Sequence, residues 1–127
     1  MSGPLRDRLD LLVEVPGLPP DLLTADARGE PSAIVRERVV AARDVQGDRY
    51  QAHAVRTNAE LTPSLLARHC ALDRAGTKLI QASVSRLGLS ARGYDRVRAV
   101  ARTIADLDAA DDISADHLAE ALQFRPM

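Results

Sequence analysis

Apolar positions along the chain follow two different periods. Leu9, Leu11, Leu12, Val13 and Val15 form a short run with strand character that stops at Pro16, and Pro19, Pro20, Gly29 and Pro31 then punctuate a loop. No second run of this kind follows, so the strand over residues 9–15 is expected either unpaired or as part of a larger protein's sheet. From Pro31 onward the spacing changes to threes and fours. Pro31 suits a first helical position, and Ile34, Val35, Val39, Ala42 and Val45 form a stripe reaching about Tyr50. Residues 51–61, with Asn58 among them, read as a loop. Thr62-Pro63 starts a short helix through Leu65, Leu66 and His69. Asp73 caps a longer one that turns Gly76, Leu79, Ile80, Ser83, Val84 and Leu87 inward and ends at Gly88. Ser90 caps a fourth helix with Tyr94, Val97, Val100, Ala101, Ile104 and Leu107 on one face, and Arg92, Arg96, Arg98 and Arg102 on the other. Asp111 to Ser114 closes a turn and caps a last helix containing Leu118, Ala119, Leu122 and Phe124. The pattern predicts an all-α fold, a small bundle of four to five helices, preceded by an extended, mobile N-terminal segment over residues 1–30.

Composition supports helices over sheet. With 127 residues the chain fits one domain, and 46% hydrophobic residues with one Phe, two Tyr and no Trp leave Leu, Val, Ala and Ile to fill the core. A formal net charge of -1 excludes a whole-domain electrostatic grip on nucleic acid, although a local basic patch is compatible with it. Cys70 is the single cysteine, so no internal disulfide forms, and no apolar run suits a signal peptide or a membrane span; a cytoplasmic protein without a membrane partner is expected.

The chemistry-bearing residues argue against self-contained catalysis. His53, His69 and His117 are widely spaced and Cys70 merely adjoins His69, so neither a metal site nor a triad is expected. No G-x-x-x-x-G-K-[ST] loop is present, so the chain lacks the groups that grip a nucleotide triphosphate and its Mg²⁺. Two arginines stand out. Arg92 falls in the first turn of a helix, where the macrodipole disfavours a cation unless an anion is near; a phosphate contact and a solvated side chain are the two readings. Arg8 precedes the predicted strand between Asp7 and Asp10, which either orient it or simply pair with it. Arg98 and Arg102 have Asp95 and Asp106 at helical spacing and read as intrahelical pairs on a solvated face.

Taken together, Gly3-Pro4-Leu5-Arg6-Asp7-Arg8-Leu9-Asp10, Val35-Arg36-Glu37-Arg38-Val39, Asn58-Ala59-Glu60-Leu61, Gly88-Leu89-Ser90-Ala91-Arg92 and Val100 to Leu107 resemble, in order, the C-terminal part of the Mg-chelatase-like AAA+ ATPases of the ComM/YifB type. The final His117 to Pro126 fits the same end. The resemblance implies that residues 1–30 are the end of an AAA+ core, with its arginine-finger strand and linker, and that 31–127 are the helical lid. It implies ATP and Mg²⁺ as cofactors of the longer protein, with none bound to this piece. The implied partners are the missing core, the neighbouring subunits of a homo-oligomeric ring, and DNA, with branch migration in natural transformation as the activity. Arg8 matches the arginine finger, catalytic in a neighbouring subunit, and Arg92 matches the sensor-2 arginine that contacts the γ-phosphate. Arg6 stands where members usually carry Leu, and Leu12 where a polar residue or His is usual; Asp10, at the family spacing, favours Arg8 over Arg6 as the finger. The alternatives are the ATPase subunit of magnesium chelatase and a free-standing helical module for DNA or protein.

Overall fold

The computed structural model describes residues 3–24 and 29–126, and within them the chain is all-helical. One-turn helices α1 (Gly3–Arg6) and α2 (Pro20–Leu23) lie in the N-terminal segment. Five longer helices follow: α3 (Ser32–Arg49), α4 (Pro63–His69), α5 (Arg74–Leu87), α6 (Ala91–Leu107) and α7 (Ala115–Gln123), with a 3₁₀ turn at Asn58–Glu60.

The helix starts are where the capping residues put them. Thr62, Asp73, Ser90 and Ser114 each accept a hydrogen bond from the backbone N–H three residues on, satisfying donors that the first turn leaves orphaned. Gly88 closes α5 in the left-handed conformation at φ 66°, and its N–H donates to the carbonyl of Val84. A glycine takes that conformation without a Cβ penalty.

α6 is the central element, with α7, α3, α4 and the 3₁₀ turn packed around it. Ala101 and Ala105 are fully buried on α6, and their small side chains let neighbouring backbones approach closely. The core joins them to Leu66, Cys70, Ile80, Val97, Ile113, Leu118, Ala121 and Leu122.

Residues 9–15 lie unpaired, one of the two outcomes expected for them, and three expectations on burial are corrected. The sole strand-like pairing among the described residues is an isolated parallel bridge between Leu72 and Ile113. The segment has no neighbouring strand to complete a ladder, and it is held instead by bonds to the bundle, including Leu12 N–H to the Phe124 carbonyl at 2.8 Å. Part of the expectation of mobility falls on residues 1, 2 and 25–28, which lie outside the described residues. The α3 stripe is largely uncovered: Ala42 and Gln46 are buried, whereas Ile34, Val35, Val39 and Val45 are exposed, Val35 and Val39 bordering an open cleft with Ile104 and Leu107 in place of close packing. Val84, Leu87 and Leu107 are likewise exposed; Leu107 borders the same open cleft as Val35 and Val39, and Leu87 borders a cavity with Val97 and Ala121. Ala119 is exposed too, since α7 turns His117, Leu118, Ala121 and Leu122 inward.

Candidate functional site

The arginines singled out from the sequence gather around the first two turns of α6. Arg92 is exposed on the first turn, and its guanidinium has no partner among the described residues. Ser90 Oγ, at 3.0 Å from the Gly93 N–H, caps the helix without engaging Arg92. Arg92 rims a groove of about 290 Å³ whose other walls include Asp10, Leu11, Asn58, Asp95 and Arg96.

One turn further along lies Arg96, which the sequence pattern puts on the face opposite the apolar stripe. Its Nε is 2.8 Å from Asp10 Oδ1, and its Nη1 donates to the carbonyl of Leu9 at 2.7 Å and to the carbonyl of Asp7. Asp10 thus pairs with Arg96 and not with Arg8, so the reading of Arg8 as half of a local ion pair is replaced. Arg8 itself is exposed, with no side-chain partner among the described residues. Arg6, also exposed, lines a second cavity of about 510 Å³ together with Arg86, Ser90, Gly93, Arg96 and Arg125.

The solvated-face reading fails for Arg98 and Arg102. Arg98 pairs with Asp95 at 2.9 Å, as the spacing predicts, and its guanidinium stacks 4.4 Å from the Tyr94 ring centroid. Arg102 is 3% exposed: it donates to the carbonyls of Ala110 and Asp111 and meets Asp106 at 3.2 Å. Asp106 is the hub of a buried network. Its carboxylate also accepts from Asn58 Nδ2 at 2.9 Å and from Arg49 at 2.5 and 3.1 Å. That bond holds the Arg49 guanidinium well above its ordinary pKa. Asn58, read as a loop residue, is 2% exposed and accepts from the Tyr50 hydroxyl at 2.6 Å.

Among the described residues no three His, Cys, Asp or Glu side chains come together to hold a metal. Burial pushes the Cys70 thiol up to about 11, so at neutral pH it is a core side chain and not a nucleophile. His69 lies beside Tyr50 and His53, with ring centroids 5.3 and 6.0 Å away. No helix of the described residues is long and apolar enough to cross a membrane.

Among the described residues, Arg8 and Arg92 thus stand exposed and without a hydrogen-bond or ion-pair partner beside the central helix of an all-helical bundle. Residues 29–125 match the family described as magnesium chelatase, subunit ChlI, C-terminal. Over its whole length the chain is 44% identical to competence protein ComM of Haemophilus influenzae, and over 98% of its length it is 40% identical to the YifB proteins of Salmonella typhimurium and Escherichia coli. The chain belongs to this family: it is the C-terminal domain of a Mg-chelatase-like AAA+ protein of the ComM/YifB type. It spans about a quarter (24%) of the length of those relatives.

Proposed function

We propose that residues 31–127 are the lid of a ring-forming ATPase, in which Arg92 senses the γ-phosphate, and that Arg8, in the segment ending the ATPase core, acts on nucleotide held by a neighbouring subunit. The observation that carries the reading is selective: of the four arginines on α6, Arg96, Arg98 and Arg102 are engaged within the domain, and Arg92 alone has a guanidinium without a partner among the described residues. It also occupies the turn where a cation is least favoured by the helix dipole, a disadvantage that an adjacent phosphate converts into an advantage. An Arg8 that is exposed and without a partner among the described residues fits a group that donates to charge outside its own subunit.

When bound to the core, MgATP supplies the phosphoryl transfer whose free energy drives the ring. The domain's part is to place Arg92 against γ-phosphate charge and to change orientation when that contact is lost, because α6 carries both Arg92 and the core-forming Val97, Ala101 and Ala105. Engagement of Arg98 and Arg102 within the domain removes most of the basic face that a free-standing DNA-binding module would need. The Haemophilus relative is a competence protein, which favours DNA over a porphyrin as what the ring acts on, and branch migration in natural transformation is the activity proposed. A cytoplasmic location agrees with one unpaired, buried thiol.

In a ring ATPase whose subunits carry this domain, Arg92→Ala is expected to lower kcat for ATP hydrolysis on the order of 10²-fold. Arg8→Ala lowers it on the order of 10³-fold or more. Arg6→Ala leaves it within about twofold, well below the loss expected for a finger. The 127-residue chain bearing Arg92→Ala keeps its helical circular dichroism, since Arg92 is exposed and makes no hydrogen bond or ion pair among the described residues. Unchanged turnover in the Arg92→Ala ring overturns the sensor assignment, and a loss with Arg6→Ala in place of Arg8→Ala moves the finger.

A further inference from the structure

We propose that Arg96 is a positioning residue, a clamp that fixes the Arg8 segment on the helix carrying Arg92, so that the two arginines move as one unit. The proposal rests on the roles given to Arg8 and Arg92 above, but the clamp itself is a matter of geometry. A single guanidinium reaches three acceptors, the carbonyls of Asp7 and Leu9 and the carboxylate of Asp10. These bracket residue 8 on both sides. With the carbonyls before and after it held, the backbone of Arg8 has little freedom, while its side chain stays exposed and without a partner among the described residues.

The fork of the guanidinium is what makes this possible. An ammonium group is a compact donor that cannot span two carbonyls and a carboxylate with fixed planar geometry, so lysine at 96 would not reproduce the arrangement. The Asp10 pair alone would contribute little, since Asp10 is 61% exposed; it is the combination with two main-chain acceptors, and Arg96's own 22% exposure, that sets this contact apart from an ordinary surface pair. A second anchor continues the path, Leu12 N–H to the Phe124 carbonyl, which ties the segment to the end of α7.

Arg92 and Arg96 are one helical turn apart, on the same side of α6. A rotation of the bundle that withdraws Arg92 from one nucleotide therefore carries Arg8 with it and changes its reach toward the next. The clamp would convert sensing at one site into a change of finger position at another without any loop having to refold.

The first test uses the 127-residue chain and amide hydrogen exchange. Arg96→Ala is expected to raise the exchange rate of the Leu12 amide at least about tenfold, while amides of Val97 to Ala105 stay within about twofold of wild type. Arg96→Lys is expected to resemble Arg96→Ala. If Arg96→Ala loosens α6 as well, Arg96→Lys, which keeps the aliphatic stem on the helix and removes only the fork, must still speed exchange at Leu12 severalfold with α6 unchanged. Unchanged exchange at Leu12 in Arg96→Ala, or in Arg96→Lys where that variant decides, overturns the clamp. The second test is kinetic. In the assembled ring, Arg96→Ala should lower kcat with the KM for ATP unaltered, and the Arg8→Ala/Arg96→Ala double variant should be no slower than Arg8→Ala alone. Additive losses in the double variant overturn the coupling. If Arg8→Ala leaves kcat intact while Arg96→Ala still frees Leu12, the finger reading fails and the clamp stands. If Arg8→Ala slows the ring but Arg96→Ala neither slows it nor frees Leu12, the clamp alone fails.

Discussion

Asp106 shows how much of this domain depends on one carboxylate. Its side chain is fully buried and balances two cations, Arg49 and Arg102, while also accepting from Asn58. Removing it leaves two guanidinium groups in a water-poor site with fewer acceptors than donors. Breaking a buried pair from one side costs about 3–5 kcal/mol, so Asp106→Ala should lower the unfolding free energy by that order, read from urea denaturation. A loss no larger than that of an exposed pair would show the network to be incidental. Only part of it was legible in the sequence. Arg102 and Asp106 are four apart on a helix and announce themselves, whereas Arg49 and Asn58 reach Asp106 from 57 and 48 positions away. The role of Arg96 was illegible for the same reason: its acceptor at Asp7 lies 89 positions away, and nothing local distinguishes it from a solvated arginine.

Helix ends, in contrast, are local events, and they were legible almost residue by residue. A cap is decided by a side chain and an N–H three positions on, so Thr62, Asp73, Ser90 and Ser114 could be placed from their neighbours alone. Gly88 is the sharpest case. A Cβ built there meets nothing within 4 Å, so its requirement is conformational and not steric. Holding an alanine in the left-handed region costs about 1–2 kcal/mol, and Gly88→Ala should destabilise by that amount, with Gly88→Asn intermediate, in thermal or urea unfolding. Equal stability of the alanine variant would mean that α5 can end some other way. The stripe on α3 marks the limit of such reading. Its period correctly announces a helix, but whether Ile34, Val35 and Val39 are covered depends on how closely the next element packs, and here Val35 and Val39 border an open cleft with Ile104 and Leu107.

For the molecule as a whole, stability should respond to pH through His69, at the junction of α4 with the end of α3. Its ring stands against Tyr50 and His53, and its Nε2 is buried with no hydrogen-bond partner. Burial, reinforced by the positive charges of Arg68, Arg49 and Arg102, lowers its pKa below the ordinary 6.5. The unfolded chain therefore takes up the proton first as the solution is acidified. Stability is full above the unfolded value of 6.5 and falls as pH drops from there through the lower native value, because the unfolded state binds more protons in that window. Glu60, whose pKa is lowered from 4.5 by hydrogen bonds from the Arg56 and Thr57 backbone and the Thr57 hydroxyl, acts in the same direction but in a more acidic range, so the two are separable. Comparing urea midpoints at about pH 7.5 and about pH 5.5 isolates the histidine. Wild type should lose more stability between them than His69→Gln, which is uncharged at both values. An equal drop in both proteins would place the acid sensitivity elsewhere and make His69 a mere packing residue.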